Sequence, residues 1–166
     1  MTGPSTLSLV DTSHGVIAVE DTYNPGTPVV LIHGNSSCRD VFQRQLDAPF
    51  ARRQRLVAID LPGHGESDDA LDPARTYTRS GLADAVAELL GLMGLTDVVV
   101  VGWSLGGHVG IDLLARSNRI KGLLIAGTPP VRNGGMAEGF NTSPRFGLAG
   151  RAELSDADVA DFARAM

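Results

Sequence analysis

The stretch Val98–Gly110, VVVVGWSLGGHVG, runs four β-branched residues straight into a cluster of glycines with one serine near its centre. The valines read as a buried strand and the residues from Leu105 onward as a helix. Gly102-Trp103-Ser104-Leu105-Gly106 therefore fits G-x-S-x-G at a strand-to-helix junction, the context that motif requires. So sharp a turn strains the serine backbone and brings strand and helix close together, so the residues two before and two after the serine must be small. Gly102 and Gly106 meet that demand. The turn lifts the Ser104 Oγ clear of the backbone and leaves the Leu105 N–H, at a helix N-terminus, facing any oxyanion that forms. Ser104 is the expected nucleophile and Leu105 an expected oxyanion donor. A Gly-rich turn that binds phosphate is the competing reading, but the P-loop lysine and the GxGxxG spacing are both absent.

Outward from this turn, strands and helices alternate. PVVLIHG (28–34) is a continuous apolar run, as expected of a strand buried on both faces, and RLVAIDLPGHGESD (55–68) reads as a second buried strand followed by a Gly-rich loop. KGLLIAG (121–127) is a further strand. TLSLV (6–10) and GVIAVE (15–20), joined by DTSHG, read as a hairpin at the sheet edge, with His14 a surface residue in its turn. Phe42, Leu46 and Phe50, spaced by four, form the stripe of a first helix. Thr78 caps a helix carrying Leu82, Val86, Leu89, Leu90 and Met93. The βαβα order implies an α/β fold with a mostly parallel sheet and helices on both faces. Ligands of such sheets bind at the carboxyl ends of the strands, which directs attention to the loops after His33, Asp60, Gly102 and Ala126.

Two of those loops add to the serine turn. In HGNSS (33–37), an oxyanion hole of this type needs one more N–H, for which Asn35 is the candidate, and Gly34 lets the backbone approach the substrate. In DLPGHGESD (60–68), Asp60, His64 and Glu66 are expected to fix the loop by hydrogen bonds rather than to titrate. His33 ends a strand at the right edge and is expected to hold the loop that presents Asn35. His108 lies one helical turn beyond Ser104 and is poorly aimed to serve as its base.

Composition bounds the partners. The 166 residues suit one domain, and 43% hydrophobic with 20% charged residues is ordinary for a globular chain. A net charge of −5 with no run of Lys or Arg argues against nucleic acid or an anionic membrane as partner. A small molecule suits it better. The start MTGPSTLSLV lacks a signal peptide's basic and apolar regions, and no apolar run approaches the roughly 18 residues of a membrane span, so the expected location is cytoplasmic. Cys38 is the only cysteine, which excludes an internal disulfide and any CxxC site; it reads as a small residue opening a helix.

LIHGNSS, DLPGHGESD and GWSLGGH, in this order and spacing, resemble the α/β-hydrolase superfamily. TSHGVIAV, GWSLGGHVGI, AGTPPV and LAG (148–150) more narrowly resemble its cofactor-free N-acyl homoserine lactonases, which open quorum-sensing lactones. The resemblance implies Ser104 as nucleophile, Asn35 and Leu105 as oxyanion donors, no metal or cofactor, and an acyl ester or lactone as substrate. It also implies a division into a core over 1–130 and the start of a cap over 131–166. Trp103, beside the serine, and Met136 and Phe140, in the cap segment with Phe146 and Leu148, are the candidate substrate contacts; packing within a cap explains the apolar residues equally well. An esterase or carbon-carbon bond hydrolase of the same fold, or a non-catalytic small-ligand module, remains open. Dehalogenase and epoxide hydrolase chemistry is disfavoured, since the resemblance there would put aspartate at position 104.

The chain departs from the family pattern in catalysis. The fold orders its triad nucleophile, acid, histidine, yet no histidine follows His108 and TPPV follows the strand after which some relatives place the acid. SDADVADFARAM (155–166) reads as a helix capped by Ser155 and still running at Met166. The expectation is an N-terminal part of a longer hydrolase, with the C-terminal strands missing. KGLLIAG would then be an exposed edge through which the chain associates with itself.

Overall fold

The computed structural model of the chain describes residues 5–129, 148, 151 and 153–164. By its contacts the chain divides into two units, Met1–Thr128 and Pro129–Met166. The first unit holds strands β1 (Thr6–Thr12), β2 (Gly15–Asp21), β3 (Pro28–Ile32), β4 (Arg55–Ile59), β5 (Val98–Trp103) and β6 (Ile120–Ala126). They form one sheet in the order β1-β2-β4-β3-β5-β6. The β1–β2 hairpin is antiparallel and β2 lies antiparallel to β4, while β3 runs parallel to β4 and β5, and β5 parallel to β6. The expected mostly parallel α/β sheet is what forms, with the hairpin at its edge.

The helices are α1 (Gln43–Leu46), α2 (Pro73–Thr76), α3 (Arg79–Leu92) and α4 (Leu105–Leu114), with α5 (Asp156–Ala163) in the second unit. On one face of the sheet, Leu82, Val86, Leu89 and Leu90 of α3 and Val109 and Leu113 of α4 pack on Val30, Ile32, Val57, Ile59, Val98 and Val100. Each such side chain stabilises the fold by about 1.5–3 kcal/mol. Among the described residues of the first unit, the other face carries short turns: a 3₁₀ segment at Arg39–Phe42, α1, and another 3₁₀ segment at Pro49–Arg53, which bury Phe42, Leu46 and Ala51 against Leu31, Leu56 and Ala58.

That second face corrects one expectation. Phe50 does not continue the stripe of Phe42 and Leu46, because Pro49 opens a separate 3₁₀ turn that leaves Phe50 53% exposed. His14 is a second correction. It is 1% exposed rather than at the surface, because the hairpin turn folds over α2: its Nδ1 lies 2.8 Å from Thr76 Oγ1, and the Arg75 guanidinium donates to its Nε2 at 3.0 Å. In the second unit Ser155 caps α5 as expected, through a capping box with Asp158. The described helix spans Asp156–Ala163, with the Arg164 N–H bonded to the Ala160 carbonyl. No described helix is long and apolar enough to cross a membrane.

Candidate active site

Ser104 sits at φ 52°, ψ −113°, between the end of β5 and the start of α4. Left-handed φ at a residue with a side chain costs on the order of 1–3 kcal/mol and persists only where the surroundings impose it. Here they do. A Cβ on Gly102 would lie 2.4 Å from the Gly106 carbonyl oxygen, and one on Gly106 2.1 Å from that of Ile32. The Ser104 N–H donates to the Ala126 carbonyl at 2.9 Å, and the Ser104 carbonyl accepts from the Gly107 N–H at 3.0 Å. Leu105 follows as the first residue of α4, whose opening N–H groups have no acceptor within the helix.

The loop after β3 touches this turn directly. A Cβ on Gly34 would lie 3.0 Å from the Trp103 ring and 3.1 Å from the Ser104 Cβ. The missing side chain makes room for the serine turn. Trp103 is half-buried and packs on the cluster of Phe42, Leu46 and Leu56. Asn35, next in the loop, is exposed, and its Nδ2 donates to Ser36 Oγ at 3.1 Å.

His33 is fully buried beneath that loop. The Leu61 N–H donates to its Nε2 at 3.0 Å, so Nε2 carries no proton, and Nδ1 must be the protonated nitrogen that donates to the Gly34 carbonyl at 2.7 Å. Burial lowers its pKa; the Gly34 carbonyl opposes the shift and the neighbouring His64 adds to it. With both nitrogens engaged and the neutral form favoured, His33 ties the loop after β3 to the loop after β4. His108 is buried on α4, its pKa lowered by burial and then by Arg79, with Asp112 opposing.

The loop after β4 is held as its polar residues suggest. The Asp60 carboxylate, fully buried, accepts from the Arg39 N–H at 2.6 Å, from the Arg39 guanidinium and from the Glu66 N–H at 2.9 Å. Burial opposes the charge on Arg39, but Asp60 and Glu66 outweigh it and raise its pKa. His64 Nδ1 lies 3.1 Å from the Pro62 carbonyl. Arg39 carried no signal in the sequence, since its partners lie far along the chain.

A cleft of about 370 Å³ opens beside Leu105, lined by Asn35, His64, Tyr77, Thr78, Arg79, Leu82 and Leu105. It brings Asn35 and Leu105 together; Ser104, Gly34 and Trp103 are not in its lining. Tyr77, Thr78 and Arg79 were missed as site residues. The signal was available: in a parallel βαβ unit a helix starts at the carboxyl edge of the strands, so the cap of α3 had to lie near the serine turn. Met136, Phe140 and Phe146 lie outside the described residues. Leu148 is 6% exposed.

Residues 29–166 match the alpha/beta hydrolase family. The chain belongs to this family. It superposes with a TM-score of 0.91 and 45% identity on the crystal structure of the N-acyl homoserine lactonase AidH complexed with N-butanoyl homoserine, covering 96% of this chain and 58% of that one. A serine-to-glycine mutant of AidH complexed with N-hexanoyl homoserine lactone matches equally well, with a TM-score of 0.91. Est816, described as an N-acyl homoserine lactone degrading enzyme, gives a TM-score of 0.68 at 31% identity, over 86% of this chain and 51% of its own. The pimeloyl-[acyl-carrier protein] methyl ester esterase of Chromobacterium violaceum is 37% identical over 111 residues, 66% of this chain and 40% of the esterase. The chain thus spans well under two thirds of these relatives. Hydrolase membership is plain, and the lactonase and esterase relatives frame the choice of substrate.

Proposed function

We propose that the complete protein is a serine hydrolase that opens N-acyl homoserine lactones. The carrying observation is the strained seat of Ser104, φ 52° at a non-glycine residue, with the Leu105 N–H directly after it at the head of α4. Ser104 Oγ attacks the lactone carbonyl while a histidine, supplied with its acid by chain beyond the 166 residues, takes the proton. The N–H groups of Asn35 and Leu105 stabilise the tetrahedral oxyanion, the ring C–O bond breaks, and the alkoxide leaves as the homoserine hydroxyl once the histidine returns the proton. Water then attacks the acyl-enzyme ester, freeing Ser104 and the N-acyl homoserine carboxylate. No cofactor takes part. The cleft beside Leu105 receives the part of the substrate nearest the carbonyl.

AidH lends support at 45% identity. Its structure holds the ring-opened N-butanoyl homoserine, whereas its serine-to-glycine mutant is complexed with a lactone. His33 and His108 are unsuited as bases, the first because both its nitrogens are occupied. The 166-residue chain alone should therefore open lactones at a rate little above buffer. An acyl ester substrate is the second reading, favoured by the 37% identity to a methyl ester esterase.

The test uses the complete protein with a series of N-acyl homoserine lactones and methyl esters, following acid release. Ser104→Ala should lower kcat/KM by about a thousandfold or more, and a fluorophosphonate should form its adduct on Ser104. Lactone opening that survives Ser104→Ala, or labelling that persists in that variant, overturns the assignment. Hydrolysis of methyl esters alone selects the second reading.

A further inference from the structure

The proposed mechanism leaves the loop after β6 without a role, although it reaches the same sheet edge. Thr128, two residues past β6, donates its Oγ1–H to the Ser104 carbonyl at 3.1 Å; the Ala126 carbonyl, at 3.4 Å, is the weaker acceptor. Ala126 in turn accepts from the Ser104 N–H at 2.9 Å. Residues 126–128 therefore hold Ser104 by both of its backbone polar groups. The seat for the threonine is built into α4: a Cβ on Gly107 would fall 1.9 Å from Thr128 Oγ1 and 2.9 Å from its Cβ, so only glycine there admits the side chain.

The Ser104 carbonyl and the Leu105 N–H belong to one peptide plane, and in a trans peptide they point in opposite directions. Whatever fixes the carbonyl also aims the N–H. We propose that Thr128 is a positioning residue for the oxyanion hole: its hydroxyl anchors the Ser104 carbonyl and thereby directs the Leu105 N–H at the developing oxyanion. The same bond polarises the amide and makes that N–H a stronger donor. This inference rests on the reading of Ser104 as nucleophile and Leu105 as donor. It assigns to the hydroxyl a part in transition-state binding and none in substrate binding.

Thr128→Val keeps the shape and removes the donor; Thr128→Ser keeps the donor. In the complete protein, Thr128→Val should lower kcat by about threefold to thirtyfold, short of the hundredfold or more that follows outright loss of an oxyanion donor. KM should stay within about twofold, since ground-state binding does not use the N–H. Labelling of Ser104 by a fluorophosphonate, whose P=O oxygen takes the oxyanion's place, should slow by a similar factor and needs no knowledge of the natural substrate. Thr128→Ser should restore both rates. Gly107→Ala, which evicts the hydroxyl by another route, should lower them as well and add little to Thr128→Val. A labelling rate unchanged in Thr128→Val overturns the inference, as does a loss that Thr128→Ser fails to restore while its melting temperature matches wild type. Labelling abolished by Ser104→Ala but untouched by Thr128→Val removes this inference alone, whereas labelling that survives Ser104→Ala removes the reading beneath it too.

Discussion

A histidine beside the proposed nucleophile invites a catalytic role, but both ring nitrogens of His33 are already engaged. Long-range ¹H–¹⁵N NMR at about pH 7 should find this ring as the neutral Nδ1–H tautomer; an Nε2–H ring or an imidazolium would overturn the account. His33→Ala strands the buried Leu61 N–H and the Gly34 carbonyl, and should cost about 1–3 kcal/mol for each unpaired group in chemical denaturation. The pH dependence follows from the lowered pKa. The folded chain binds this proton less readily than the unfolded chain, so the stability it provides is full above the ordinary value of 6.5 and is lost as the pH falls below it. His14 and His108 shift the same way, burial leading in each. Denaturation midpoints at about pH 7.5 and pH 5.5 should therefore fall at acid pH, and fall less in His33→Asn. At this scale the sequence was readable where chemistry and spacing coincide, as at Gly102, Ser104 and Gly106. It was unreadable where burial is conferred from afar: nothing in DTSHG announces that Thr76 and Arg75 will enclose His14.

Among the elements, α3 begins where its cap predicts, with Thr78 Oγ1 accepting from the Gly81 N–H at 2.9 Å. Thr78→Ala should destabilise the chain by about 1 kcal/mol, and Thr78→Ser should recover most of it. The loop after β4 depends on one distant cation. Arg39→Met leaves the buried Asp60 carboxylate without its countercharge and should cost about 3–5 kcal/mol, read as a lowered denaturation midpoint; a loss below about 1 kcal/mol would show that the loop does not rest on that pair. Continuous apolar runs made β3 and β4 legible, and helical spacing made α3 legible. The segment from Arg39 to Arg53 was not, because 3₁₀ turns have no sustained period and Pro49 resets the spacing after Leu46.

For the whole molecule, β6 is the outermost strand of the described sheet, and its Leu124 and Ile125 are 55% and 46% exposed. An edge strand left unpaired among the described residues can pair with other chains, so the 166-residue chain should give dimers or larger species in light scattering. Ile125→Lys should shift it towards monomer, and a wild-type chain that stays monomeric would show the edge to be protected. Strand order was legible only in part, since neither periodicity nor composition tells that β3 lies between β4 and β5. That order has a consequence for how the molecule assembles. Ser104 and the loop bearing Asn35 meet only after Val29 has found Val99, a pairing between residues remote in sequence that forms slowly. The β1–β2 hairpin and the helices have no such wait. During refolding, the turn at Ser104 should therefore be among the last features to return, long after far-ultraviolet ellipticity has recovered, which would make labelling of the proposed nucleophile a clock for the completion of the fold.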